Sequence, residues 1–126
     1  MIILKLVIVG SRSITNKVYL YMALIAAIGN GVITAADQVE IISGGAKGVD
    51  SLAKEYAIDK DYIYREFLPD YKKYQKAAPL IRNKEMADYG DVLIAVWDGV
   101  STGTQHIVKY MRQLGKPVFV YDISKK

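Results

Sequence analysis

The sequence contains no cysteine. Disulfides, thiolate nucleophiles and cysteine-ligated zinc or iron–sulfur sites are therefore excluded. It holds one histidine and no HExxH pattern, so a metal site is not expected, and nothing in the residues calls for a cofactor. No apolar run approaches the ~20 residues that a membrane span needs, so no membrane is expected as a partner. The opening MIILKLVIVG carries one lysine and runs into Gly10-Ser11-Arg12. It lacks the charged start and small-residue cleavage site of a secretory leader and reads as a buried strand. A cytoplasmic chain is the expectation. Linkers, low-complexity tracts and repeats are missing too, so residues 1–126 read as one domain.

What is present is ordinary globular composition, with 52% apolar and 24% charged residues among 126. That argues against disorder and suits a single core. The net charge of +4 is unevenly spread. Residues 1–63 hold six basic and six acidic groups, whereas residues 70–84 carry Lys72, Lys73, Lys76, Arg82 and Lys84 against Asp70 alone. Such a local excess draws anions, either phosphorylated small molecules or nucleic acid. A solvated basic loop gives the same pattern.

Short apolar runs alternate with helical spacings along the chain. Ile2 to Val9, Val39 to Ile42, Tyr62 to Phe67, Asp91 to Trp97 and Pro117 to Tyr121 read as strands. The first helix is predicted from Val18, Tyr21, Met22, Ile25 and Ile28 as one apolar stripe, with Thr15 or Asn16 as N-cap and Gly29 or Gly31 as its stop. The second helix has Val49, Leu52, Ala53, Tyr56 and Ala57 on one face. Pro69 to Pro79 shows no period and is expected to be an irregular loop. Leu80 to Tyr89 is the next predicted helix, and the last turns Ile107, Val108 and Met111 inward. The predicted fold is α/β, a Rossmann-like three-layer sandwich with a mainly parallel five-stranded sheet and helices on both faces.

Ligands of such sheets collect at the carboxyl ends of the strands, where three motif turns fall. Ser43-Gly44-Gly45-Ala46-Lys47-Gly48-Val49-Asp50 joins a strand to a helix. Its glycines let backbone N–H groups approach an anion at a helix start. A tight turn whose glycines only meet backbone geometry fits the same residues. Asp98-Gly99-Val100-Ser101-Thr102-Gly103-Thr104 offers hydroxyls and glycines for phosphate, and Asp98 for ribose hydroxyls. Its alternative is a simple cap by Thr102 or Thr104. Arg12, after Gly10 and Ser11, can fork onto phosphate or serve as a surface residue. Arg82 and Asn83, with Met86 one turn on from Arg82, add a guanidinium and an amide on one helix face. Trp97 can stack on a purine or fill the core end. His106 reads as an ordinary helix residue.

In this order, GSR, SGGAKGVDSLA, RNKEM and DGVSTGT resemble the SLOG superfamily of Rossmann-like proteins, which includes the LOG-type nucleotide hydrolases and DprA. The nearest likeness is its small YspA-like branch. The resemblance implies that Gly10, Ser11 and Arg12 face a nucleotide-like ligand and that Gly44, Gly45 and Gly48 contact its phosphates. Arg82 and Asn83 would lie nearby, and Ser101, Gly103 and Thr104 would complete the cradle. It also implies a homo-oligomer, dimeric or higher. One departure bears on activity. The LOG hydrolases carry a glutamate three residues past their Gly-Thr, and here Ile107 stands there. An isoleucine can neither transfer a proton nor stabilise an oxocarbenium ion. The expectation is therefore a binder of a small nucleotide-like molecule without LOG-type hydrolysis. A nucleotide N-glycosidase and a DprA-like binder of single-stranded DNA are its alternatives.

Overall fold

In a computed structural model, which describes residues 2–33 and 36–124, five short strands form one sheet. In chain order the elements are β1 (Ile3–Gly10), α1 (Lys17–Gly29), β2 (Gln38–Ser43), α2 (Val49–Asp59), β3 (Ile63–Glu66), α3 (Tyr71–Tyr74), α4 (Ala78–Tyr89), β4 (Val92–Trp97), α5 (Thr102–Gln113) and β5 (Val118–Asp122). A 3₁₀ turn, Gln75–Ala77, joins α3 to α4. All pairings are parallel, in the order β3-β2-β1-β4-β5. The chain moves outward from β1 to β3, then returns to β1's other side with β4. That reversal makes the carboxyl ends of β1 and β4 the natural crevice.

The sheet's centre explains why β1 and β4 read as unbroken aliphatic runs. Side chains alternate across a strand, and both faces here are covered. Leu6 and Ile8 pack with Leu20, Leu24 and Leu52 of α1 and α2. Val7 and Val9 pack on the opposite side with Met86, Ile107 and Met111 of α4 and α5. Fully buried side chains such as Ile8 and Ile94 each contribute about 1.5–3 kcal/mol. The predicted three layers are present, and the sheet is parallel throughout rather than mainly so.

Two local expectations are corrected. The face of α1 turned inward is Leu20, Ala23, Leu24 and Ala27, not the stripe predicted from Val18 to Ile28. Val18, Met22, Ile25 and Ile28 are instead 45–71% exposed. The stretch Pro69 to Pro79 is not an irregular loop. Asp70 accepts from the Lys73 N–H at 3.1 Å to start α3, and Pro79 lies in the first turn of α4, where its missing N–H is harmless. Elsewhere Asn16 is the N-cap of α1, its side chain accepting from Val18 N at 3.0 Å.

Candidate functional site

Three strand-to-helix turns and α4 border one cleft of ≈ 580 Å³ at the carboxyl edge of the sheet. Of the expected site residues, Gly10, Arg12 and Asp50 line it from the first two turns. Arg82 and Asn83 line it from α4, and Asp98, Ser101, Gly103 and Thr104 from the β4–α5 turn. Ser11, Ser43, Gly44, Gly45 and Gly48 do not line it. They build the scaffold behind.

Ser11 is fully buried and ties three elements together. Its N–H donates to Val96 O, its Oγ accepts from Asp98 N at 2.9 Å, and its carbonyl accepts from Val49 N. Ser43 is equally buried, 2.8 Å from the Tyr64 hydroxyl, which itself donates to Glu66. Gly48 sits at φ 78°, and a Cβ there would strike the backbone of Ser11 and Arg12. Gly45, at φ 72°, would strike Glu66 and Leu68. Both positions need glycine for chain-to-chain contact.

Asp50 holds this loop's shape. One carboxylate oxygen accepts from Gly44 N and Ala46 N, both at 3.2 Å. Burial pushes its pKa up from 3.8 to about 6, against the opposing pull of the Ala46 N–H, Arg82 and the Gly44 N–H. Arg82 donates to the carbonyls of Gly44 at 2.6 Å and Phe67 at 3.2 Å, and its Nε donates to Asn83 Oδ1. Asn83 in turn donates to Gly103 O at 3.3 Å. A chain of contacts thus runs from the β2–α2 loop through α4 to the start of α5. The guanidinium expected to meet phosphate is largely committed to main-chain oxygens. Arg12 is exposed at the cleft rim.

The third turn is built differently. Asp98 Oδ1 accepts from Val100 N and Ser101 N, both at 2.9 Å, while Oδ2 accepts from the Ser13 hydroxyl. Those bonds, that of Val100 foremost, hold the Asp98 pKa below its usual value. Ser101 is the N-cap of α5, but its side chain makes no capping bond; its Oγ lies 3.1 Å from Thr104 Oγ1. The first N–H groups of a helix have no intrahelical partners. Here the residues that carry them, Thr102, Gly103 and Thr104, line the cleft. Trp97 turns its indole N–H back to Ser101 O at 2.9 Å. His106 lies outside the cleft lining, with Nδ1 3.5 Å from Asn83 Nδ2. Its pKa is lowered by burial and then by Lys84.

Beside Met86 and Ile107, the cleft has an apolar part that sequence reasoning missed, formed by Val9, Leu80 and Val100. The available signal is their place in the chain, within two residues of Gly10, Arg82 and Ser101. Lys72, Lys73 and Lys76 of the basic stretch are exposed and lie outside the lining. Among the described residues, no group of three or more His, Cys, Asp or Glu could hold a metal ion. No helix among them is long and apolar enough to cross a membrane.

The model of the family described as DNA recombination-mediator protein A matches residues 4–64. The X-ray structure of TM1055, a Northeast Structural Genomics Consortium target, is similar at a TM-score of 0.61 with 19% identity. The match covers 91% of this chain and 72% of that one. At that identity the likeness shows the fold alone. Among curated proteins no significant match is found. The motif order along the strands, the family-model match over residues 4–64 and the shared Rossmann-like fold all support the resemblance to the SLOG superfamily.

Proposed function

We propose that this chain binds a nucleotide or nucleotide-derived ligand in the cleft between β1, β4 and α4, without LOG-type hydrolysis. The observation that carries the reading is the start of α5. Its first residues, Ser101 to Thr104, line the cleft without a side-chain cap, and the helix dipole there favours an anion. Arg12 and Asn83 flank that end with a cation and an amide, and the apolar wall of Met86 and Leu80 suits a base.

The available acid–base groups argue for binding over hydrolysis. Ile107, at the position the resemblance gives to a glutamate, is 1% exposed and lines the cleft. Asp98 is engaged as an acceptor through both oxygens, and a carboxylate held ionised is a poor proton donor. Asp50, raised to about 6, is the group on which a hydrolytic reaction would have to draw.

The test is calorimetry and thermal shift with AMP, ADP-ribose and NAD, followed by chromatography for free base. The expected result is saturable binding, stabilising by about 2.7 kcal/mol at 100 times Kd. Arg12→Ala should weaken it, and no base should be released. No shift with any nucleotide overturns the reading. Release of base at rates near those of ordinary enzymes, about 1–10³ per second, replaces it with the N-glycosidase. A second reading, a single-stranded nucleic-acid binder, draws on the match to the DNA recombination-mediator family. It predicts affinity that grows with oligonucleotide length and falls steeply with salt.

A further inference from the structure

The Ser101–Thr104 turn has a second side. There a cleft of ≈ 850 Å³ opens between α5 and β5, sharing Thr104 with the first cleft. Its apolar surface is Trp97, Val108 and Val120, and Lys109 and Arg112 stand at its mouth. Trp97 is half-buried, and its indole N–H is already satisfied by Ser101 O. The ring is therefore held in place, and the part that faces the cleft has no polar requirement left to meet.

The two cations are less easily explained by the fold. Lys109 and Arg112 are exposed, one turn apart on α5, and neither makes an ion pair or hydrogen bond among the described residues. Like charges at that spacing repel by a few tenths of a kcal/mol. Asp122 shares the lining, but its Oδ1 accepts from Ser124 N and Ser124 Oγ, which turns that oxygen toward the chain end. A fixed aromatic ring beside two cations that no described residue pairs matches a planar base with an attached phosphate. The base stacks on the ring, and the phosphate neutralises the pair.

We propose that the α5–β5 cleft is a binding site for the base and phosphate of a nucleotide, either free or within a nucleic-acid strand. The inference rests on Trp97, Lys109 and Arg112, and stands whether or not the first cleft is occupied. Trp97 is the single tryptophan of the chain, so its fluorescence reports this site directly.

The experiment is titration of Trp97 emission with AMP and, separately, with a short oligothymidylate at fixed ionic strength. Saturable quenching is expected, with half-saturation weakened about tenfold or more in the Lys109→Glu/Arg112→Glu variant. Lys109→Ala/Arg112→Ala keeps good helix formers at both positions and replaces it if charge reversal lowers the melting temperature. Quenching by AMP as strong as by the oligomer assigns the site to free nucleotides. Quenching by the oligomer alone assigns it to a strand. Three results overturn the proposal. One is unchanged emission with both probes. Another is quenching indifferent to both double variants, and the third is quenching abolished by Arg12→Glu alone, which would make Trp97 a reporter of the first cleft. Calorimetric binding that leaves Trp97 emission unchanged rejects this site and keeps the first.

Discussion

The β2–α2 turn and the β4–α5 turn both lead from a buried strand into a helix, and both contain glycines, yet their glycines answer to different neighbours. In the first, Gly48 and Gly45 have positive φ and abut the chain itself: the Ser11–Arg12 backbone and the side chains of Glu66 and Leu68. In the second, Gly99 at φ 90° also abuts the chain, at Ser124, but an added Cβ on Gly103 would meet nothing within 4 Å, and Gly103 lines the cleft. A glycine-rich turn is thus two things. One is a joint required by packing, the other an opening whose occupant lies outside the chain. Charge follows the same division. Both turns tie a carboxylate to their own amides, Asp50 to Gly44 N and Ala46 N and Asp98 to Val100 N and Ser101 N, but only the first is buried, with Arg82 donating to Gly44 O beside it.

The strongest way to break the comparison is to add one methyl group to each turn. Gly48→Ala places a Cβ against backbone at φ 78°, combining an unfavourable dihedral with overpacking, each about 1–3 kcal/mol. The expected loss is on the order of 3 kcal/mol, measured by urea denaturation. A loss under about 0.5 kcal/mol would show that the two turns are equally loose.

Most of the fold was legible because buried parallel strands leave a simple mark: LVIV in β1 and VLIAV in β4, each closed by turn residues. The face of α1 was not. Its sequence, KVYLYMALIAAIG, has no charge after Lys17, so an apolar stripe can be drawn at several angles. What decided the matter was size. Ala23 and Ala27 let the helix lie close to the sheet, a choice made by the partner surface rather than by periodicity. The short α3 escaped because one turn is too brief to show a period. In the site, the turns could be read and their division of labour could not. Whether a glycine yields to chain or to ligand depends on what lies across the turn, and Arg82's bonds to Gly44 and Phe67 join residues 38 and 15 positions apart.

Asp50 offers a second, smaller contrast. Its folded pKa of about 6 lies above the ordinary 3.8 because burial disfavours the charge. Between those values the folded chain keeps a proton that the unfolded chain has released. The resulting stability is full below about pH 4 and is lost as pH rises through about 6. Asn cannot titrate and retains an oxygen to accept from Gly44 N and Ala46 N. Going from pH 4 to pH 7, Asp50→Asn should therefore gain on the wild type by about 2–3 kcal/mol. Thermal melts of both proteins across that range measure it, and parallel pH curves would remove Asp50 from the account.

The smallest expected change in stability is also the sharpest test of the comparison. Gly103 lies in the first turn of α5, where an added Cβ meets open space and φ is not in the left-handed region. Alanine costs less backbone entropy than glycine in a helix, so Gly103→Ala should leave the protein as stable as before, or up to about 0.5–1 kcal/mol more so. If the open space is where a ligand's phosphate meets the N–H groups of α5, the same methyl group stands in its way. Nucleotide affinity should then fall about tenfold or more while the melting temperature holds or rises. The opposite pairing, with lower stability and unchanged affinity, would make this glycine a joint like Gly48 and would move the ligand away from the start of α5. Unchanged stability with unchanged affinity would keep the packing contrast and detach it from binding. Titration of both proteins by calorimetry, alongside their melts, separates these outcomes, because fold and ligand act through different atoms at this position.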